Sequence, residues 1–270
     1  MDAESSQRLA HGRALVEDDR LAEAIEVFDE VITRYGTAAD LASRRDVADA
    51  LIEKAESLER LGRDEDALAS FNSVLERYGT AKEPVLHRRI AWSLMSRGVL
   101  LARLDRGIGA LTCYDEVVRR FGESGDTELQ DLVAQALMRS GYLLSERGDY
   151  QRAVEAADAL RARPEADRPE WRAPVAWATL NKGLALYELR RNPEAIAAYD
   201  EVIAFAAESN EPEAAGWLAC ALFHKGLCLT RSGRPDEGAA AYDALITRFA
   251  HDPSPEVGYY LRRAQAARST

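Results

Sequence analysis

A five-residue phrase returns along this chain at a nearly constant interval: FDEVI at 28–32, FNSVL at 71–75, YDEVV at 114–118, YDEVI at 199–203 and YDALI at 242–246. The leading aromatics Phe28, Phe71, Tyr114, Tyr199 and Tyr242 are separated by 43, 43, 85 and 43 residues, so a degenerate copy belongs near Ala157, where ADAL stands at 157–160. Six copies with a period of 42 or 43 residues thus span nearly all of the chain's 270 residues. Repetition on this scale points to stacked supersecondary units, each of which buries its apolar face against its neighbours.

A second phrase precedes each copy. Gly12, Ala55, Gly98, Gly141, Gly183 and Gly226 are each followed three residues later by leucine (Leu15, Leu58, Leu101, Leu144, Leu186, Leu229). Twelve residues after the small residue comes another: Ala24, Ala67, Ala110, Ala153, Ala195 and Gly238. Small residues at matched positions let two antiparallel helices approach closely, and the aromatic four residues on fills the space beside them. Turn signals separate the two phrases: Asp18-Asp19-Arg20, Gly62-Arg63, Asp105-Arg106-Gly107, Gly148-Asp149, Asn192-Pro193 and Gly233-Arg234-Pro235. Pro193 and Pro235 suit a first helical position, and Asn192 an N-cap. Gly36, Gly79 and Gly122 are expected to end the second helices in a left-handed conformation. Pro164, Pro212 and Pro253 close the later copies. The reading is helical throughout.

These positions resemble the tetratricopeptide repeat family in all six copies. The resemblance implies an all-α, right-handed α-solenoid of six helix hairpins, at approximately 3–36, 38–79, 81–122, 125–163, 169–209 and 212–251, forming a single repeat domain. The unit departs from the usual 34-residue length by about nine residues placed before helix A. Asp40–Leu61 reads as one amphipathic run of roughly 22 residues, so helix A is long and helix B short. Residues 254–268 are expected to form a C-terminal capping helix, with Arg262, Arg263 and Arg268 where the preceding copy carries Ala219, Cys220 and Lys225. Truncation of a longer array is the competing explanation.

Composition narrows the function. Thirty-five basic against 46 acidic residues leave a formal charge of -11, which opposes a phosphate backbone, so nucleic acid is not expected as a partner. No apolar run approaches a membrane span, and the first ten residues lack a signal peptide's pattern. With only Cys113, Cys220 and Cys228 and no CxxC pair, a cytoplasmic location is expected. Arginine- and alanine-rich usage suggests a bacterial source. His11, His87, His224 and His251 stand alone without metal-ligand spacing, and no phosphate loop or nucleophile elbow occurs. Asp64-Glu65-Asp66 and Asp18-Asp19 are expected at helix starts, where carboxylates suit the macrodipole. The acids following the aromatics, Asp29, Asp115, Asp200 and Asp243, are expected to be solvated or to pair between repeats. No catalytic residue, metal or cofactor is expected.

The resemblance also implies that helix A lines a concave groove. Groove positions fall six, three and two residues before the small residue and one and four after it; in copy two they include Asp49, Glu53 and Glu56. In the central copies these positions hold Trp92, Met95, Gln135, Arg139, Tyr142, Trp177 and Asn181, with His224 in copy six. Aromatics, methionine and arginine are enriched at interfaces, and an amide can bond an extended peptide. Core packing is the alternative for Trp92, Trp177 and Met95. The lysines of the family's chaperone-tail clamp are missing from these positions. A non-enzymatic interaction module or scaffold that binds a peptide or partner-protein segment is therefore expected. The alternatives are a peptide-sensing regulatory domain and the binding portion of a larger effector or enzyme.

Overall fold

The computed structural model describes residues 2–252 and 254–268. Pro253, expected to close the sixth copy, lies outside them. Thirteen α-helices and no strand occur among the described residues. The chain divides into two compact units, Met1–Ala136 and Leu137–Thr270. The first holds α1 (Asp2–Glu17), α2 (Leu21–Tyr35), α3 (Leu41–Arg60), α4 (Asp64–Tyr78), α5 (Pro84–Arg103), α6 (Gly107–Phe121) and the first half of α7 (Thr127–Glu146). The second holds the rest of α7, then α8 (Tyr150–Arg161), α9 (Arg172–Glu188), α10 (Asn192–Glu208), α11 (Ala214–Arg231), α12 (Pro235–Arg248) and α13 (Pro255–Arg268).

Odd-numbered helices are the A helices of the sequence pattern. Within the first unit α3 packs on α2 and α1, and α5 on α4 and α3; within the second, α11 packs on α10 and α9, and α13 on α12 and α11. This is a solenoid of helix hairpins. The small-residue pattern explains how closely each pair packs. A Cβ added to Gly98 would stand 2.6 Å from Cε1 of Tyr114, and one added to Gly183 would stand 2.6 Å from Cε1 of Tyr199. Gly12 against Phe28 and Gly226 against Tyr242 repeat the arrangement. Copy four, which has Ala157 in place of an aromatic, is looser: a Cβ on Gly141 would meet Ala156 at an ordinary 3.5 Å.

Helix A is the longer helix in the first unit, with 20 residues in α3 and α5 against 15 in α4 and α6. In copy five the two are equal, at 17 residues each. Asp40 caps α3 by accepting from the Ser43 backbone N–H at 2.8 Å. Buried Asp46 fastens α3 to α1 by accepting from the hydroxyls of Ser5 (2.7 Å) and Ser6 (2.6 Å). Burial works to raise its pKa; those hydroxyls and Arg45 outweigh it and hold the carboxyl below the ordinary range.

The acid after the aromatic is an inter-repeat ion pair. Lys54 meets Asp29, Lys182 meets Asp158 and Lys225 meets Asp200, each at 2.5 Å, and Arg268 meets Asp243 at 2.7 Å. Three of the chain's four lysines serve this one position.

Several local expectations need correction. Gly36, Gly79 and Gly122 are right-handed, at φ −63°, −57° and −54°. Glycine is required there because a Cβ would collide with the carbonyl oxygen four residues back. The left-handed residues sit instead in the A–B turns: Gly62, Gly148 and Gly233, and without glycine Asp19, Asp105 and Arg190, at φ 58–59°. Asp19 therefore belongs to a turn rather than a helix start, and it pairs with Arg60 at 2.6 Å. Asn192 begins α10 instead of capping it, and its Oδ1 accepts from Arg231 Nε at 2.9 Å. Between α8 and α9 two short 3-10 turns, Pro164–Asp167 and Pro169–Trp171, interrupt the period. They bury Trp171 and Glu165, the latter accepting from Arg163 at 3.2 Å.

Candidate functional site

The A helices of the first unit enclose a cleft of about 580 Å³, the size of many ligand sites. α3 contributes Asp49, Ile52, Glu53 and Glu56 on one face, at helical spacing. α5 contributes Arg88, Arg89 and Trp92, and the first half of α7 contributes Glu128, Asp131, Leu132 and Gln135. Arg88, Arg89, Glu128, Asp131 and Leu132 all belong to the extra length before helix A. The longer unit therefore supplies one wall of the cleft.

Both cleft arginines are committed to carboxylates. Arg89 donates to Asp49 through Nε (2.7 Å) and Nη2 (3.1 Å), the bidentate geometry that guanidinium favours. Arg88 donates to Asp126 at 2.8 Å and to Glu128 at 2.7 Å. Glu53 accepts from Arg13 Nε at 2.5 Å. Burial, with Asp49 and Glu56 adding repulsion, nevertheless pushes the Glu53 carboxyl above the ordinary range. Glu59, six residues further along α3, is also raised by burial, with Asp64 and Glu56 adding repulsion, although Arg103 lies 3.2 Å away. Glu56 is bonded differently: it accepts from the indole Nε1–H of Trp92 at 3.0 Å.

Trp92 is thus not a core residue. Its side chain is 46% exposed, with its polar edge held by Glu56 and its ring facing solvent. Met95, three residues on, is 4% exposed and packs inside, so it does not present a binding surface. Gln135 lines the same cleft as Trp92.

The other predicted residues lie in the second unit. Tyr142, 41% exposed on α7, stacks on half-buried Trp177 of α9 with ring centroids 5.3 Å apart and planes tilted by 36°. Burial, then a hydrogen bond with Glu146, raises the Tyr142 phenol pKa. Asn181 turns its amide onto its own helix, donating Nδ2–H to the Trp177 carbonyl at 2.9 Å. Arg139 is exposed one turn before Tyr142. His224 is enclosed by the rings of Tyr187, Tyr199, Phe223 and Tyr260 at 5.2–6.2 Å. Its buried Nδ1 has no hydrogen-bond partner, and burial, with Arg263 adding repulsion, lowers its pKa to about 4. It is a packed neutral imidazole, covered on one side by α13. Two smaller hollows, of about 340 and 240 Å³, flank Phe205 and Arg172, whose guanidinium carbon lies 5.7 Å from the Phe205 ring centroid.

The cysteines are poor nucleophiles. Burial raises all three thiols, Cys220 and Cys228 to about 11, so each is protonated at neutral pH. Among the described residues no three His, Cys, Asp or Glu side chains converge to hold a metal ion, and no helix is long and apolar enough to cross a membrane.

The helix-hairpin geometry agrees with a match to the tetratricopeptide repeat profile over residues 9–82, 95–167, 138–211 and 180–255. The chain belongs to the tetratricopeptide repeat family. No curated protein sequence matches it. Solved structures share the fold of this tetratricopeptide protein at low identity. BtubC (BKLC) from P. vanneervenii is 14% identical, with a TM-score of 0.59, over 99% of this chain and 89% of that one. RapI in its apo form is 12% identical, with a TM-score of 0.61, over 98% of this chain and 72% of that one. A double mutant of MamA RS-1 is 19% identical, with a TM-score of 0.54, over 81% of this chain and 96% of that one.

Asp49, Glu53 and Glu56 fall on expected groove positions, whereas Arg88, Arg89, Glu128 and Asp131 were not among the residues predicted to bind. Their signal was present: 88, 89 and 92, like 128, 131, 132 and 135, follow helical spacing into Trp92 and Gln135.

Proposed function

We propose that this tetratricopeptide protein is a non-enzymatic interaction module that binds a peptide or partner-protein segment on its A-helix face. The observation that carries the reading is the placement of large aromatics there without burial: Trp92 in one unit, and Tyr142 stacked on Trp177 in the other. Burying an exposed indole or phenol ring supplies affinity at little entropic cost, and such residues dominate binding hot spots. Helical repeat proteins use extended surfaces of this kind for binding. Arg139, exposed one turn before Tyr142, and Gln135, in the Trp92 cleft, would orient the ligand through polar contacts.

The test is selection of binders from a random twelve-residue peptide library, followed by titration against wild type, Trp92→Ala and Tyr142→Ala/Trp177→Ala. The expected result is that selected peptides lose at least tenfold in affinity for one of these folded variants. Peptides that bind all three proteins equally would overturn the reading.

A further inference from the structure

The chemistry of the first unit's cleft narrows what it can hold. Residues 1–136 carry 27 acidic and 18 basic side chains, a formal -9, whereas 137–270 carry 19 and 17, a formal -2. The acid surplus of the whole chain is therefore concentrated in the unit that contains Trp92.

Within the cleft, pairing leaves a specific imbalance. Arg88 is taken by Asp126 and Glu128, and Arg89 by both oxygens of Asp49, so neither guanidinium is available to an acidic ligand. Along α3 the carboxylates of Asp49, Glu53 and Glu59 have arginine partners, whereas Glu56 between them has only the neutral indole N–H of Trp92. That bond fixes the exposed ring beside an uncompensated carboxylate, over a floor that includes Ile52 and Leu132. An aromatic face attracts a cation, most strongly when the ring is tryptophan, and an adjacent carboxylate adds a charge-assisted hydrogen bond. Guanidinium meets both requirements at once, because it is planar, stacks, and is weakly hydrated.

We propose that the cleft of the Met1–Ala136 unit receives an arginine-bearing basic segment of a partner protein, with one guanidinium lying on the open face of Trp92 and paired with Glu56. The inference rests on the interaction-module reading above and adds the chemical class of the ligand. The neighbouring carboxylates Glu53 and Glu128, each only partly neutralised by its arginine, favour further basic residues along the segment. Ile52 and Leu132 accept the aliphatic stems.

The probes are three fluorescein-labelled ten-residue Gly/Ser peptides carrying three arginines, three glutamines or three glutamates, measured by anisotropy at about 50 mM salt. Glu56→Gln removes the charge but keeps an acceptor for the Trp92 indole, so the fold is undisturbed. Glu76→Gln, on an exposed stretch of α4 outside the cleft, removes the same charge elsewhere. The arginine peptide is expected to bind at least tenfold more tightly than the glutamine peptide and to lose about tenfold on Glu56→Gln or Trp92→Ala. Glu76→Gln is expected to leave its affinity within twofold. Equal binding of the arginine and glutamine peptides, or equal losses on Glu56→Gln and Glu76→Gln, would overturn the proposal. If library-selected peptides depend on Trp92 but carry no arginine, the basic-ligand inference fails while the module reading stands. If none depends on Trp92 or on Tyr142 and Trp177, both fail.

Discussion

The two units use one repeat in different ways. Besides the pair after the aromatic position, which both units share, the first is joined by further charges that reach from one repeat to the next. Arg103 contacts Asp64 (2.8 Å), Arg106 contacts Glu65 (2.5 Å), and Arg77 and Arg120 cap the Gly36 and Gly79 carbonyls at 3.2 and 2.8 Å. The second has 13 of the chain's 20 aromatics and builds its interior from them. Tyr199, Phe223 and Tyr242 are buried there, and Arg231 packs 4.0 Å over Tyr187. Charge at a surface gives a fold and, where a carboxylate is left over, a recognition element. Aromatic burial gives a tighter interior with fewer charges to offer a ligand. The same backbone plan therefore presents an acid-lined cleft around Trp92 in one unit and a stacked Tyr–Trp surface in the other.

The largest test of this contrast concerns what the units share. Gly98→Ala and Gly183→Ala each drive a methyl into a tyrosine ring and are expected to cost about 1–3 kcal/mol by overpacking. Gly141→Ala, where the ring is replaced by Ala157, is expected to be neutral or to stabilise by up to about 1 kcal/mol. Chemical denaturation of the three variants measures this, and a loss for Gly141→Ala equal to the others would break the packing argument.

A pH dependence separates the units. The folded pKa of His224 is about 4, below its ordinary 6.5, so between those values the unfolded chain binds more protons. Stability of the second unit should therefore be full above about pH 6.5 and fall as pH drops toward about 4, by up to about 3 kcal/mol. Hydrogen exchange of α11 amides should report the loss, and His224→Gln should flatten it. Unchanged protection in wild type down to pH 4.5 would contradict the buried neutral imidazole.

Turn strain gives smaller effects. Arg190→Gly and Asp105→Gly relieve left-handed backbone at φ 59° and 58° and are expected to stabilise by about 1 kcal/mol each, whereas Gly148→Ala should destabilise by a similar amount. Thermal melts that move the other way would contradict the assigned turn conformation. The smallest effect is that of salt. Raising sodium chloride from about 50 mM to 1 M screens exposed ion pairs worth roughly 0.2–1 kcal/mol each. Amides of α4 and α5 should lose more protection than those of α10 and α11, and equal loss would remove the distinction drawn between the units.

Much of the fold was legible in the sequence because it is carried by short-range, repeated choices. The glycines at 12, 98, 183 and 226 and the aromatics 16 residues later mark each hairpin, and the acid after the aromatic marks the inter-repeat pair. What was not legible depends on partners about 40 residues away. Trp92 and Met95 both fell on expected groove positions, but only Trp92 is exposed, because Glu56 from the preceding repeat holds its indole N–H. His224 falls on an expected groove position, but α13 brings Tyr260 and Arg263 against its surroundings. The left-handed conformation at Asp19, Asp105 and Arg190 is not marked by glycine, which takes that role in only half of the A–B turns. The 3-10 turns after α8 break the period in the copy whose aromatic is replaced by Ala157.

The chain has four tryptophans, so its indole N–H signals in a nitrogen-15 correlation spectrum report the binding surface directly. Each signal can be assigned by a Trp→Phe variant, and the spectrum followed during titration with a library-selected peptide. The expected result is a shift at Trp92, with Trp177 moving if the ligand also reaches the second unit, while buried Trp171 stays still. Saturable binding that leaves both Trp92 and Trp177 unmoved would contradict recognition on the A-helix face.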